Sequence, residues 1–131
     1  MTLEQLKIYR IKQIEKHSDD LIAQGMQLTG RPEGTVIVPM DLQHRQDFEL
    51  MNNRSGQIPS WPLYFLDYTR SKFIVFVDAD DLSDVCDTGF LWGMQIQGDG
   101  GTLMAQIMAC TTIQQVNAIK DERTWEDYNG E

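Results

Sequence analysis

Lys72-Phe-Ile-Val-Phe-Val-Asp-Ala-Asp-Asp-Leu82 is an apolar run that stops abruptly at a cluster of acids. Phe73 to Val77 is rich in strand formers, and its apolar side chains on both faces predict a strand covered on both sides. Asp78 to Asp81 then opens a helix, because carboxylates cap free N–H groups there and oppose the positive end of the dipole. Leu63 to Thr69 is a second apolar strand, and Thr69-Arg-Ser-Lys72 is a connection of hairpin length. Beyond Leu82 the pattern is mixed. Leu82, Val85, Cys86 and Gly89 have helical spacing, whereas Phe90, Trp92, Met94 and Ile96 alternate as on a strand. We expect helix to about Ile96, with Gly89 and Gly93 admitting a close neighbour. Gly98-Asp-Gly-Gly101 predicts a turn, and Leu103, Met104, Ile107 and Met108 form the next helical face. Thr112 with Gln115 is a capping-box pair for a last helix carrying Ile113, Val116 and Ile119. The acidic stretch from Thr124 to Glu131 is expected to fray.

Upstream, residues 3–24 read as one long helix. Leu3, Leu6, Ile11, Ile14, Leu21 and Ile22 fall on one side. Their arc spans about 200°, against roughly 100° for a helix covered on one side. Either the chain's own domain clasps this helix on two sides, or part of the arc meets another subunit. The six residues are therefore candidate interface residues. Gly25 suits the left-handed position just past a helix end. Met26, Leu28 and Thr35 to Val38 predict a short hairpin around Gly30-Arg-Pro-Glu-Gly34. Asp41 caps a second helix, Leu42 to about Asn52, with Phe48, Leu42 and Met51 turned inward. Gln57-Ile-Pro-Ser-Trp-Pro62 is a constrained loop, and Trp61 is expected to cover one end of the core.

The chain of 131 residues is expected to form one α+β domain: helix-rich, with a small antiparallel β element near 63–77 against the long N-terminal helix and the C-terminal helices. A domain of this length buries a real core without metal or disulfide. Net charge is −9. That balance argues against nucleic-acid binding, which needs a basic face for the phosphates, and against anionic membrane surfaces. Phe73 to Val77 is far too short to span a membrane, and charges interrupt the first residues where a signal peptide would be apolar. Cys86 and Cys110 lack metal-site spacing and are expected as buried free thiols.

Few residues suggest chemistry. Asp78-Ala-Asp80 after a strand resembles the metal-binding Asp-x-Asp of nucleotide-sugar transferases, but no nucleotide-binding βαβ half precedes it. As an EF-hand loop the same acids would put Leu82 and Ser83 where a ligand and a glycine are required. Gly98 to Gly101 lacks a P-loop lysine and carries Asp99, which repels phosphate. His17 and His44 stand apart, and no zinc or nucleophile signature accompanies them. Arg54, Arg70, Lys72, Lys120 and Arg123 are scattered and expected in solvent. No catalytic, cofactor-binding or metal residue is assigned.

Several stretches in order carry a resemblance: Arg10-Ile-Lys-Gln-Ile14, Ser18-Asp-Asp-Leu-Ile-Ala-Gln-Gly25, Met40-Asp41 with Gln43 and Gln46, Phe76-Val-Asp-Ala-Asp-Asp-Leu82, Leu103-Met-Ala-Gln-Ile-Met-Ala109 and Thr111-Thr-Ile-Gln-Gln-Val116. Together they resemble a domain family of unknown function recurrent in tail-fibre and tail-associated proteins of tailed bacteriophages. The chain departs from it at Trp92-Gly93 and at Gly98 to Gly101, where the family would be smoothly helical. The resemblance implies a helix-rich domain with a small β element and a non-enzymatic role in the virion tail, as a fibre- or baseplate-associated adaptor without cofactor. Its partners would be other tail proteins or copies of itself, with a trimer suggested by the symmetry of many fibres. Two other readings stand: an acidic phage protein that inhibits a host protein, and, remotely, a metal-dependent transferase using Asp78 and Asp80.

Overall fold

The structure, a computed structural model, describes residues 1–129. The elements in order are α1 (Leu3–Ala23), β1 (Met26–Leu28), β2 (Val36–Val38), α2 (Leu42–Asn53), a 3-10 turn (Ser55–Gln57), β3 (Leu63–Leu66), β4 (Phe73–Phe76), α3 (Ala79–Met108), α4 (Ile113–Ala118) and α5 (Glu126–Asn129). β1 pairs antiparallel with β2, and β3 with β4, as two separate two-stranded sheets. The α+β class expected from sequence is the one observed.

α3 is the spine, and α1 lies antiparallel along it: Lys7 Nζ donates to the Met108 carbonyl, and Gln97 Nε2 reaches Asp19. α2 and β4 lean on the first half of α3, and α4 packs on α1. Two apolar clusters result. The larger joins Leu21, Ile22, Met26, Val36, Val38, Met40, Phe48, Ile74, Phe76, Leu82, Val85, Trp92 and Ile96. The smaller joins Ile14, Ile107, Cys110 and Val116, with Leu3, Leu6, Ile11, Leu103, Met104 and Ile119 against it.

This packing corrects the interface assignment for α1. Ile14, Leu21 and Ile22 are only 3%, 2% and 2% exposed, within the chain's own core. Leu3, Leu6 and Ile11 are half-buried against the smaller cluster. The wide arc exists because α3 and α4 cover the helix on two sides. Deleting residues 1–24 should therefore unfold the domain, because it removes three side chains from the core.

α3 corrects one expectation and bears out another. The helix expected to Ile96 forms, but it runs on as one continuous helix of 30 residues without the turn expected at Gly98-Asp-Gly-Gly101. Its buried stripe is Leu82, Val85, Gly89, Trp92, Ile96, Gly100 and Ile107, with half-buried Leu103 between the last two, so that three- and four-residue steps pass through the glycines. A glycine in a helix costs about 1 kcal/mol relative to alanine. Burying Ile96 and Ile107, each 0% exposed, returns roughly 1.5–3 kcal/mol apiece. Breaking the helix would also leave its backbone groups unpaired.

The caps at Asp41, Asp78 and Thr112 form as read, each accepting a backbone N–H at its helix start, and Thr112–Gln115 closes a full capping box. Thr2–Gln5 adds a capping box at the start of α1 beyond those expected from sequence. Gly25 has φ +97°, and a Cβ there would stand 2.6 Å from the Ile37 side chain. Trp61 is half-buried against the larger cluster. Three local expectations change. Leu42 is exposed, because only Phe48 of α2 is turned fully inward. Phe73 is exposed too, so β4 has one buried face, not two. The tail does not fray as far as Asn129: Trp125 Nε1 donates to the Gly25 carbonyl, Asn129 Oδ1 accepts from Gln27 N, and Trp92 Nε1 donates to the Tyr128 carbonyl. Residues 130 and 131 lie outside the described residues.

Candidate functional site

A cleft of about 590 Å³ runs between α2 and α3. Its floor is the larger core cluster, with Ile22, Val38, Met40 and Phe76. One wall is Leu42, Arg45, Gln46 and Glu49 of α2, and the other is Cys86, Asp87, Phe90, Met94 and Gln97 of α3. Gly89 and Gly93 open the floor by withholding side chains; a Cβ on Gly89 would meet Met40 Cε at 2.9 Å. Phe90 and Met94 stand on the rim, 66% and 53% exposed, with Leu42 facing them. Helical spacing puts 90 and 94 side by side, one turn apart. An apolar floor between walls that carry charged and amide side chains is a surface that binds other molecules by shape and water exclusion at the centre and polar contacts at the rim.

The thiol in that cleft is not a nucleophile at neutral pH. Burial first, then Asp87 and Glu49, push Cys86 up to about 11, and its Sγ leans on the Phe48 carbonyl. Thiolate is the reactive form. Both cysteines are free, as expected.

Two of the acids at the start of α3 are turned to structure. Asp78 Oδ1 accepts from Asp81 N at 2.8 Å. Asp81 receives Arg31 through both guanidinium ends, at 3.2 and 2.9 Å, and accepts from Val77 N. Arg31 also donates to Glu33 and to the Val75 carbonyl, so one guanidinium ties the first hairpin's loop to β4 and α3. Asp80 is exposed on the first turn of α3. Among the described residues no group of three or more His, Cys, Asp or Glu is arranged to hold a metal ion, and no helix is long and apolar enough to cross a membrane.

Arg123, expected in solvent, is instead the hub of a polar node between the two core clusters. It donates to Asp121 through Nε and Nη2, to the Ile96 carbonyl at 2.8 Å and to Ser18 Oγ at 2.9 Å. His17 Nδ1 closes on Asp121 at 2.8 Å. Burial opposes the charge on Asp121, but the hydrogen bonds from Arg123 and His17 outweigh it and hold the carboxyl at about 2. Burial likewise opposes the charges on Asp81, Glu33 and Asp67, and their hydrogen bonds still leave all three below the ordinary carboxylate range. His44 pairs with Asp41 within its helix cap.

These depressed values set an acid limit. A carboxyl whose folded value lies below its unfolded one stabilises the fold fully above the unfolded value, near 4, and that stability is lost as pH falls toward 2. For Asp121 the share is roughly 1–2 kcal/mol after solvent screening. Urea midpoints measured at pH 7, 4, 3 and 2.5 should hold from 7 to just above 4 and then fall. Asp121→Asn should be weaker at neutral pH and less steep below 4. A wild-type midpoint unchanged between pH 4 and 2.5 would contradict this account.

Comparison of the chain with family models, with curated proteins and with solved structures finds no match.

Proposed function

We propose that this chain is a non-enzymatic docking protein of a tailed-bacteriophage virion, a fibre- or baseplate-associated adaptor that works through the α2–α3 cleft. The observation that carries the docking role is the pairing of exposed Phe90 and Met94 over an open apolar floor. The virion assignment rests on the ordered stretches from Arg10 to Val116 that resemble tail-associated domains. The charge of −9 favours a partner whose contacting surface is basic around an apolar ridge. Of the acids at the start of α3, Asp78 caps the helix and Asp81 pairs with Arg31, which fits a scaffold.

The test is incorporation. In particles purified from the phage that encodes it, the chain should be present at fixed stoichiometry. Phe90→Glu with Met94→Glu should abolish incorporation while leaving the unfolding free energy from urea titration within about 0.5 kcal/mol per site, because both side chains are exposed. Absence of the wild-type chain from particles would overturn the virion role and favour an inhibitor of a host protein. Full incorporation of the double variant would overturn the role of the cleft.

A further inference from the structure

The strand edges of this protein are treated unequally. A two-stranded sheet has two outer edges, and each presents backbone groups that invite another strand. On β4, Val75 N donates to Glu33 Oε2 at 2.9 Å and its carbonyl accepts from Arg31 at 2.7 Å, so two side chains stand in for a strand. On β2, Ile37 N donates to Asp67 Oδ2, and the Ile37 carbonyl accepts from Tyr68 N at 2.7 Å. On β1, Gln27 N donates to Asn129 Oδ1 at 2.7 Å. Groups from elsewhere in the chain thus engage β2 at Ile37, β4 at Val75 and β1 at the Gln27 N–H, leaving on these three edges only the Phe73 backbone of β4 and the Gln27 carbonyl of β1 without such a partner among the described residues.

β3 is the exception. Val75 points its N–H and carbonyl away from β3, so its partner Tyr64 points its own away from β4, and Leu66 does the same two residues on. Asp67 N donates back to the Lys72 carbonyl, which fixes this alternation. Among the described residues, no hydrogen bond engages the backbone of Tyr64 or Leu66 on the outer side. The open stretch is short. Pro62 has no N–H to offer, and Tyr68 N is already engaged by Ile37. Nothing on β3 is charged, and its outward face is apolar: Tyr64 packs edge-on against Phe73, with ring centroids 6.2 Å apart, and Leu66 lies across from Phe73.

We infer that this edge is where a second copy of the chain adds, β3 against β3, to make a continuous four-stranded sheet. Antiparallel pairing about a two-fold axis at Phe65 sets Tyr64 opposite Leu66 of the partner subunit, and Leu66 opposite Tyr64 of the partner subunit. Each such pair exchanges an N–H for a carbonyl in both directions, so the register uses every open group. It also joins the two Tyr64–Phe73 faces into one apolar strip without bringing a charged β3 residue across the axis. Pairing β3 against β3 is isologous and closes at two copies. The inference stands on the chain alone and does not depend on the virion role.

Sedimentation equilibrium on the whole chain, paired with amide hydrogen exchange, tests it. The wild type should show a monomer–dimer equilibrium, and the Tyr64 and Leu66 amides should exchange more slowly as concentration rises. Leu66→Pro removes one outward N–H per copy while leaving the β4 ladder untouched. Two lost bonds in the dimer should weaken association about thirtyfold. Leu66→Lys, which keeps the backbone and adds an edge charge, should weaken it too and serves if the proline variant folds poorly. A wild type that stays monomeric to about 1 mM overturns the inference. So does a dimer that survives Leu66→Lys with unchanged exchange at Tyr64 and Leu66. Protection of those amides only on adding a different protein would assign the edge to a foreign strand and would also overturn it.

Discussion

Arg123→Ala should lower the unfolding free energy by about 3–5 kcal/mol, the range for removing one partner of a largely buried ion pair. The reason is what the guanidinium leaves behind. Asp121 would keep its charge with only His17 beside it, and the Ile96 carbonyl and Ser18 Oγ would each lose a donor. Those three partners sit on the C-terminal segment, α3 and α1, so the loss loosens the seam where the two apolar clusters meet. Arg123→Lys should recover less than half, because one ammonium cannot reproduce a planar fork that meets a carboxylate through two nitrogens and still reaches two other elements. Urea unfolding at pH 7 measures both. A loss below about 1 kcal/mol for the alanine variant would show that solvent replaces these contacts at little cost.

Gly100→Ala should cost about 2 kcal/mol although alanine is the better helix former. A Cβ at this position would lie 2.5 Å from Ser18 Oγ and 3.2 Å from Arg123 Nη1. Ser18 is 1% exposed, so it cannot swing out to solvent. Either α1 backs away from α3, or Ser18 turns and drops its bond from Arg123. Overpacking of this kind costs about 1–3 kcal/mol and a broken charge-assisted bond a similar amount, which outweighs a gain of about 1 kcal/mol in helix propensity. The control lies in the same helix. At Gly93, Gly98 and Gly101 a Cβ would meet nothing within 4 Å, so alanine at each should stabilise by up to about 1 kcal/mol. A thermal melt of the four single variants decides it. If Gly100→Ala melts at or above the wild type, the close approach of α1 and α3 is not what that glycine serves.

The two variants also explain why α3 was misread in part. Glycine is a turn signal when taken alone, and three glycines in Gly98-Asp-Gly-Gly101 made a turn the natural local choice. The signal for continuity was the three- and four-residue rhythm from Leu82 to Ile107, which holds only if Gly89 and Gly100 are counted as inward positions. Nothing near Gly100 in the chain announces Ser18, which lies on α1 and contacts it only after folding.

The candidate site divides in the same way. Phe90 and Met94 lie one helical turn apart, but their exposure depends on α2 standing off from α3, which no local pattern states. Arg123 reads as a solvated cation because Ile96 and Ser18, which bury it, lie 27 and 105 residues away along the chain.

By itself the sequence determined the local structure: the caps at Asp41, Asp78 and Thr112, the left-handed Gly25, both hairpins and the long first helix. Those features depend on dihedral preference, capping chemistry and period, which act over a few neighbouring residues. Only the tertiary structure decided that the wide arc of α1 packs within the chain, that α3 passes unbroken through its glycines, that the tail docks through Trp125 and Asn129, and that β3 is left with both its outward residues unengaged. Each of these is settled by groups distant in the chain that meet only in the fold, where a buried contact or a satisfied backbone group outweighs the local preference.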